Sequence, residues 1–290
     1  MVTRRDFLRA MAATAFSGGV YACAVEPYWL ETVRTEIALD GLDPAFDGYV
    51  IAQISDLHVG SGVPLAYLRR AIEAANAAQP DLAVVTGDIV DGGSAPGAAD
   101  AAAELLSALR PRDAVMAVLG NHDTGAFRPT RQVDDEGVRR LRGALAAQGV
   151  DVLFNDERTL ARNGGRLRVA GFGDLWSHQF DASAFTAKPG EATIALSHNP
   201  DTAIELAERG AGLVLSGHTH GGQVRIPFYG PPYYPIEHRD LMYGHHRLGK
   251  TQLYVNPGLG YSYGVRFLSR PELTLLRVVL GTPSDARKSL

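Results

Sequence analysis

The feature that most constrains this chain is a set of five short polar clusters, each at the end of an apolar run rich in β-branched residues. They are Asp56-Leu57-His58, Gly87-Asp88-Ile89-Val90-Asp91, Gly120-Asn121-His122-Asp123, Ser197-His198-Asn199 and Gly217-His218-Thr219-His220. The runs at 49–54, 82–86, 114–119, 193–197 and 213–216 have the length and composition of buried strands. Helical patterns lie between them. Residues 64–79 start with a proline and set Leu65, Leu68 and Ile72 on one face. Residues 98–109 are Ala-rich and end before Pro111, 136–148 align Val138, Leu141 and Leu145 ahead of Gly149, and 200–209 read as a fourth helix. Further strands are expected at 151–154, 167–172, 252–256 and 272–280. Such alternation predicts an α/β fold with helices on sheet faces, and the strand-rich later part predicts a second sheet packed on the first. With 290 residues, 46% of them apolar, one catalytic domain is the simplest organisation.

Strand ends in open α/β sheets converge on one crevice, so five separate segments can deliver side chains to one point. The side chains are those of a metal centre. Cys23, the single cysteine, lies in the N-terminal segment, so no thiolate is at hand and any metal must be held by His, Asp, Glu or Asn. Seven candidates fit: Asp56, His58, Asp88, Asn121, His198, His218 and His220. Carboxylate, imidazole and amide oxygen suit Zn, Mn or Fe. Two neighbouring ions need about seven or eight ligand atoms with a shared carboxylate. Each cluster alone reads equally well as a surface turn. The ordered set of five, with two histidines one residue apart beside Gly221-Gly222, does not.

The N-terminus reads as an address. Thr3-Arg4-Arg5-Asp6-Phe7-Leu8-Arg9 followed by a weakly apolar stretch to Ala24 has the form of a twin-arginine export signal. Ala22-Cys23-Ala24 fits a small-x-small cleavage site, while lipidation at Cys23 and retention as an anchor stay open. The expected organisation is a signal segment at 1–24, a lead-in strand and linker at 25–47, a catalytic domain at 48–281 and a tail at 282–290. Export places the protein in the periplasm, the cell wall or at the outer face of the cytoplasmic membrane. The formal net charge of −4 carries no basic excess, so nucleic acid is not an expected partner.

Taken together, the motifs resemble the calcineurin-like metallophosphoesterase family. Residues 54–60, Ile-Ser-Asp-Leu-His-Val-Gly, and 217–223, Gly-His-Thr-His-Gly-Gly-Gln, are similar to its bacterial YkuE/YaeI-type phosphodiesterase branch, which lies near enzymes that cleave UDP-2,3-diacylglucosamine. The resemblance spans roughly residues 48–280. It implies a four-layer α/β/β/α sandwich of two mixed sheets. It implies that Asp56, His58, Asp88 and His220 bind one metal, that Asp88, Asn121, His198 and His218 bind a second, and that Asp88 bridges. It gives His122 the role of contacting the phosphoryl oxygen or protonating the leaving alkoxide, oriented by Asp91. The activity implied is hydrolysis of a phosphate diester or pyrophosphate, lipid-linked or nucleotide-linked, by a hydroxide that two divalent or trivalent ions activate. A monomer is expected. The rival functions are a phosphomonoesterase acting on small metabolites and a catalytically silent metal-binding envelope protein.

Residues outside the motifs carry weaker expectations. His178 reads as a surface histidine, with crevice lining as the alternative. His245 and His246 read as solvent-facing or as a local hydrogen-bonding pair. Tyr229, Tyr233 and Tyr234 read as packed loop aromatics, with a lipid interface as the alternative. Arg266 is a candidate contact for a substrate phosphate.

Overall fold

Alternation along the buried strands sorts their side chains into separate interiors. Tyr49 and Ile51, Leu82 and Val84, and Met116 and Val118 join one core, while Ala52 and Ile54, Ala83 and Val85, and Ala117 join another. A strand flanked on both faces by apolar layers must lie inside a stack. The computed structural model of the protein shows that stack and describes residues 3–92, 97–127, 132–188 and 190–281. The expected tail at 282–290 lies outside them.

In chain order the elements are α1 (Arg4–Val20), β1 (Glu31–Leu39), β2 (Tyr49–Ile54), α2 (Leu65–Ala77), β3 (Leu82–Thr86), α3 (Ala98–Leu106), β4 (Ala114–Val118), α4 (Asn121–Thr124), α5 (Asp135–Ala147) and β5 (Val150–Val152). They continue with β6 (Asp156–Arg162), β7 (Gly165–Gly171), β8 (Thr193–Leu196), α6 (Ala203–Glu208), β9 (Leu213–Ser216), β10 (Gly244–Leu248), β11 (Thr251–Val255) and β12 (Glu272–Leu280). One sheet runs β1-β12-β2-β3-β4-β5 and the other β10-β11-β9-β8-β7-β6. Both are mixed. β2, β3, β4 and β5 are parallel, as are β7, β8, β9 and β11, while β12 is antiparallel to β2.

The layers are α/β/β/α. The faces of the two sheets meet through Ile37, Phe46, Tyr49, Leu196, Leu213 and Leu215, among others. α2, α3 and α5 cover the first sheet, and α6 with Phe172, Phe185 and Met242 covers the second. The spacing of Tyr67, Leu68, Ala71, Ile72 and Ala75 gives α2 a single apolar stripe against the sheet. Each fully buried Leu or Ile there contributes about 1.5–3 kcal/mol relative to exposure. Gln53 reaches across the stack and donates from Nε2 to the Ser216 carbonyl at 2.9 Å, which ties β2 to β9 next to the polar clusters.

Residues 31–39 of the lead-in, where a strand is expected within 25–47, form a nine-residue edge strand in continuous register with β12. Other elements differ from expectation. β6 and β10 carry no apolar alternation to signal them. They are edge strands with partly exposed faces, and polar residues such as Asp156, Glu157 and Arg158 suit an edge that must resist pairing with another chain. The helix expected at 200–209 is divided into a 3₁₀ turn at Pro200–Thr202 and the short α6.

Candidate metal centre

Because β2, β3 and β4 are parallel in one sheet and β8 and β9 in the other, their carboxyl ends put the five clusters at one edge of the sandwich. Backbone hydrogen bonds then lock neighbouring loops together. Asp56 N–H donates to Gly87 O, His58 N–H to Asp88 O and Gly217 N–H to His198 O. The two sheets meet where the His218 N–H donates to the Asp56 carboxylate at 3.1 and 3.2 Å. Space there is so short that a Cβ on Gly217 would collide with Ser55 and Asp56, and one on Gly120 with Asp88. Asp56, His58, Asp88, His218 and His220 all have φ between 50° and 72°, which costs a non-glycine residue about 1–3 kcal/mol each. Five strained polar residues in one place show a constellation held against local preference.

The structure brings all seven candidate ligands together. Asp56, His58 and His220 offer ligand atoms within 4.8 Å of one another, as do Asp88, His198 and His218, and as do His58, Asp88 and His122. Asp88 Oδ2 lies 3.2 Å from His198 Nε2 and 3.8 Å from His58 Nε2, between the first two groups. Asn121 Oδ1 lies 3.2 Å from His198 Nε2. Asp56, His58, Asp88, His198 and Asn121 are almost wholly buried, with His218 and His220 only slightly less so.

The hydrogen-bond pattern shows that this cluster suits a cation. His198 Nδ1 donates to the Thr86 carbonyl at 2.7 Å, and His218 Nε2 donates to the Pro235 carbonyl at 3.1 Å. In the neutral ring each donation fixes the tautomer and leaves the lone pair on the other nitrogen. Those two nitrogens, His198 Nε2 and His218 Nδ1, face each other at 3.2 Å. The Asp88 and Asn121 oxygens stand around the same point, so acceptors outnumber donors there and, without a metal, a proton held on His198 must serve them. His58 Nε2 and His220 Nε2 likewise approach to 3.1 Å, and the buried His58 Nδ1 has no hydrogen-bond partner. A positive charge placed among these groups relieves the conflict. The nitrogen and oxygen donor set, with no thiolate, fits Zn, Mn or Fe.

Proton affinities carry the same imprint. Burial alone would depress His198, yet Asp88, Asp56 and Asp174 raise it to about 10. Burial lowers His218 to about 3 and holds His220 well below the ordinary histidine value. Asp56 is raised by burial. Asp88 feels the same burial, but His198, His122 and His58 hold it well below the usual carboxylate range.

Beside this cluster stands a pair with a different character. His122 Nδ1 lies 2.6 Å from Asp91 Oδ1, and its ring stacks on Phe127 at 4.3 Å between centroids. Burial disfavours a charge on His122, but Asp88 and the Asp91 contact raise its pKa above the ordinary value. The hydrogen bond from His122, with the His58 ring 3.7 Å away, holds Asp91 well below the usual carboxylate range. His122 and Asp88 line a cleft of about 380 Å³ with Phe127, Trp176, Tyr233 and Tyr263.

Sequence reasoning passed over three contributors. Asp123 is buried and accepts from the Gly120 and Val90 N–H groups, so it joins the loops that carry Asp88 and His122. Burial and Asp88 raise it to about 7. Trp176 packs edge-on over His218 at 4.6 Å. Asp174 accepts from both N–H and Oγ of Ser177, which bonds in turn to Thr124. The available signal was position, since the loop at 173–178 follows β7 at the same sheet edge.

Other expectations resolve individually. His178 is exposed, and Trp176 of the same loop lines the cleft instead. His245 bonds across strands to Gln252, and His246 to the Tyr243 carbonyl. Arg266 is fully buried, with its guanidinium donating to the carbonyls of Pro257, Gly258, Gly260 and Ser269, so the expected phosphate contact is replaced by a structural role. Tyr229 and Tyr233 are exposed rather than packed, while Tyr234 is half-buried beneath Arg239.

An α/β/β/α sandwich with such a cluster at its strand ends defines a metal-dependent hydrolase of phosphate esters. The chain belongs to the calcineurin-like phosphoesterases, whose sequence pattern matches residues 49–222. It is 33% identical to the metallophosphoesterase YkuE of Bacillus subtilis over 94% of this chain and 96% of that protein. It is 34% identical to the phosphodiesterase YaeI of Escherichia coli over 96% of this chain and 100% of the relative. It is 28% identical to the UDP-2,3-diacylglucosamine pyrophosphatase LpxG of Chlamydia muridarum, over 93% and 95% of the two chains.

Proposed function

We propose that the chain is a phosphodiesterase or pyrophosphatase with a dinuclear centre, acting on an envelope or lipid-linked phosphate ester. The observation that carries this reading is the buried convergence of seven oxygen and nitrogen donors beside the His122–Asp91 pair. Asp56, His58, Asp88 and His220 would hold one ion, and Asp88, Asn121, His198 and His218 would hold the other, with Asp88 common to both sets. When bound, the ions supply Lewis acidity toward the phosphoryl oxygens and lower the pKa of water. Asp91 holds the Nδ1 proton of His122, which leaves Nε2 to contact the phosphoryl group and pass a proton to the departing alkoxide. Phe127 fixes the ring plane by stacking.

The cleft walls favour a diester or pyrophosphate over a monoester. A monoester dianion gains from a Lys or Arg beyond the metals, and none is among the described residues that line the cleft. Phe127, Trp176, Tyr233 and Tyr263 instead offer apolar surface to organic groups carried by the phosphate. Export through the segment containing Arg4-Arg5 would bring the enzyme to envelope substrates. Among the described residues no helix is long and apolar enough to cross a membrane.

Turnover of bis-p-nitrophenyl phosphate and p-nitrophenyl phosphate, with Mn, Zn or Fe supplied, tests the reading. The diester is expected to be the better substrate by about tenfold or more, equivalent to 1.4 kcal/mol of differential transition-state binding. Preference for the monoester would overturn the diester assignment. Absence of hydrolysis of either with any metal would leave a silent metal-binding protein.

A further inference from the structure

The cleft opens through an apolar rim of which the catalytic reading uses only Tyr233 and Tyr263. Ile226, Phe228, Tyr229, Tyr233, Tyr263 and Leu268 are large, exposed and concentrated in two segments of the chain. Phe228 projects fully into solvent at the tip of a hairpin closed by the Ile226–Gly230 bridge. The base of that hairpin is a wall of the cleft, because Gln223 and Val224 line it together with Tyr233 and Tyr263. A convex, exposed aromatic tip suits the interfacial layer of a bilayer, where amphipathic rings settle among headgroups.

Two independent features point to the same occupant. The chain carries a formal charge of −4, yet it has no Asp or Glu between Gly210 and Ile236 or between Leu241 and Pro271. The rim cations Arg225 and Arg270 lie over Tyr243 and Trp29, at 4.3 and 4.0 Å from the ring centroids. Glu26, Glu31 and Glu272 share a recess with these two arginines, but the segments that form the rim bring cations and no carboxylate of their own, which complements anionic lipid. The second feature is the exit of α1. Tyr21 packs edge-on against Phe267, and the Ala22 carbonyl accepts from Arg266 N–H at 2.9 Å. Phe267 also pairs with Val224 at the hairpin base, so the N-terminal helix leaves the body beside this rim.

We propose that the aromatic rim around the cleft, led by Phe228 and Tyr229, is a docking surface that seats the mouth of the site against an anionic lipid bilayer. The proposal adds a surface to the function given above and does not depend on which ester is cleaved.

The test is co-sedimentation of the full chain with phosphatidylglycerol–phosphatidylcholine vesicles and with phosphatidylcholine vesicles alone. Wild type is expected to partition onto the anionic vesicles. The double variant Phe228→Ser/Tyr229→Ser is expected to lose about tenfold or more of that partition. Its turnover of soluble bis-p-nitrophenyl phosphate should match wild type, since neither side chain belongs to the centre. Phe228→Trp adds a gain-of-signal measurement, a blue shift of its emission on adding anionic vesicles. No binding by wild type, equal binding by the double variant, or an unshifted Phe228→Trp emission would each overturn the proposal. Equal binding would assign any attachment to the N-terminal helix. Failure of soluble-diester hydrolysis in wild type would count against the enzymatic reading alone, because vesicle binding is measured without turnover.

Discussion

Asp81 and Asp88 flank the same strand, both buried, one just before β3 and one just after it. Their surroundings differ. At the amino end, Asp81 accepts from Val50 N–H at 2.9 Å, from Arg162 at 2.8 Å and from Arg112 at 3.1 Å. Arg162 comes from β6 of the second sheet, so this carboxylate pins the two sheets with partners the chain itself supplies. At the carboxyl end, Asp88 also stands between the sheets, but it faces His58 and His198, whose other neighbours are further acceptors. One end is a closed hydrogen-bond account, as structural polar groups require. The other is short of donors, its backbone is strained, and its donor set suits a cation from outside. A buried polar cluster that satisfies itself supports the fold, whereas one that does not is a site.

The comparison can be broken by experiment. The largest effect is expected from Asp88→Asn, which removes the shared charge. Elemental analysis should show loss of at least one metal equivalent, and hydrolysis should fall by about 10³-fold or more. Wild-type metal content in this variant would contradict the shared role. Next comes His122→Ala, which should keep its metal while turnover drops about 10²–10⁴-fold. Metal loss there would move His122 into the ligand set. The smallest functional effect belongs to Asp81→Asn, expected to lower unfolding free energy by about 1–3 kcal/mol at neutral pH with metal content intact. Burial would raise the Asp81 pKa, but the Val50 N–H, Arg162 and Arg112 bonds outweigh it and hold the group low. A depressed pKa stabilises the fold above the unfolded value of about 4 and loses that contribution as pH falls through the folded value. The gap between wild type and variant, followed by denaturant unfolding, should therefore narrow on acidification. A constant gap would show that the charge of Asp81 does not matter.

How much was legible in advance differs by element. Strands β2, β3, β4, β8 and β9 stood out because burial on both faces demands continuous apolar runs. The edge strands β6 and β10 did not, because their half-exposed faces admit Arg158, His246 and other polar residues. The seven candidate ligands could be named because ligand chemistry restricts residue type. Arg266 was misplaced because an arginine in a loop gives no sign of whether its donors meet water, phosphate or carbonyls. Trp176 and Phe127 were overlooked because aromatic residues are common in cores, and only proximity to His218 and His122 marks them.

By itself the sequence determined the inventory: the buried strands, the helices between them and the polar residues at each strand end, since local pattern and residue chemistry are carried by neighbours in the chain. The tertiary structure alone decided which acceptors face one another, as with His58 and His220 at 3.1 Å, and which aromatics stand exposed at the cleft mouth. Those relations arise only when two sheets close face to face and bring residues over a hundred positions apart into contact, as Thr86 and His198 are.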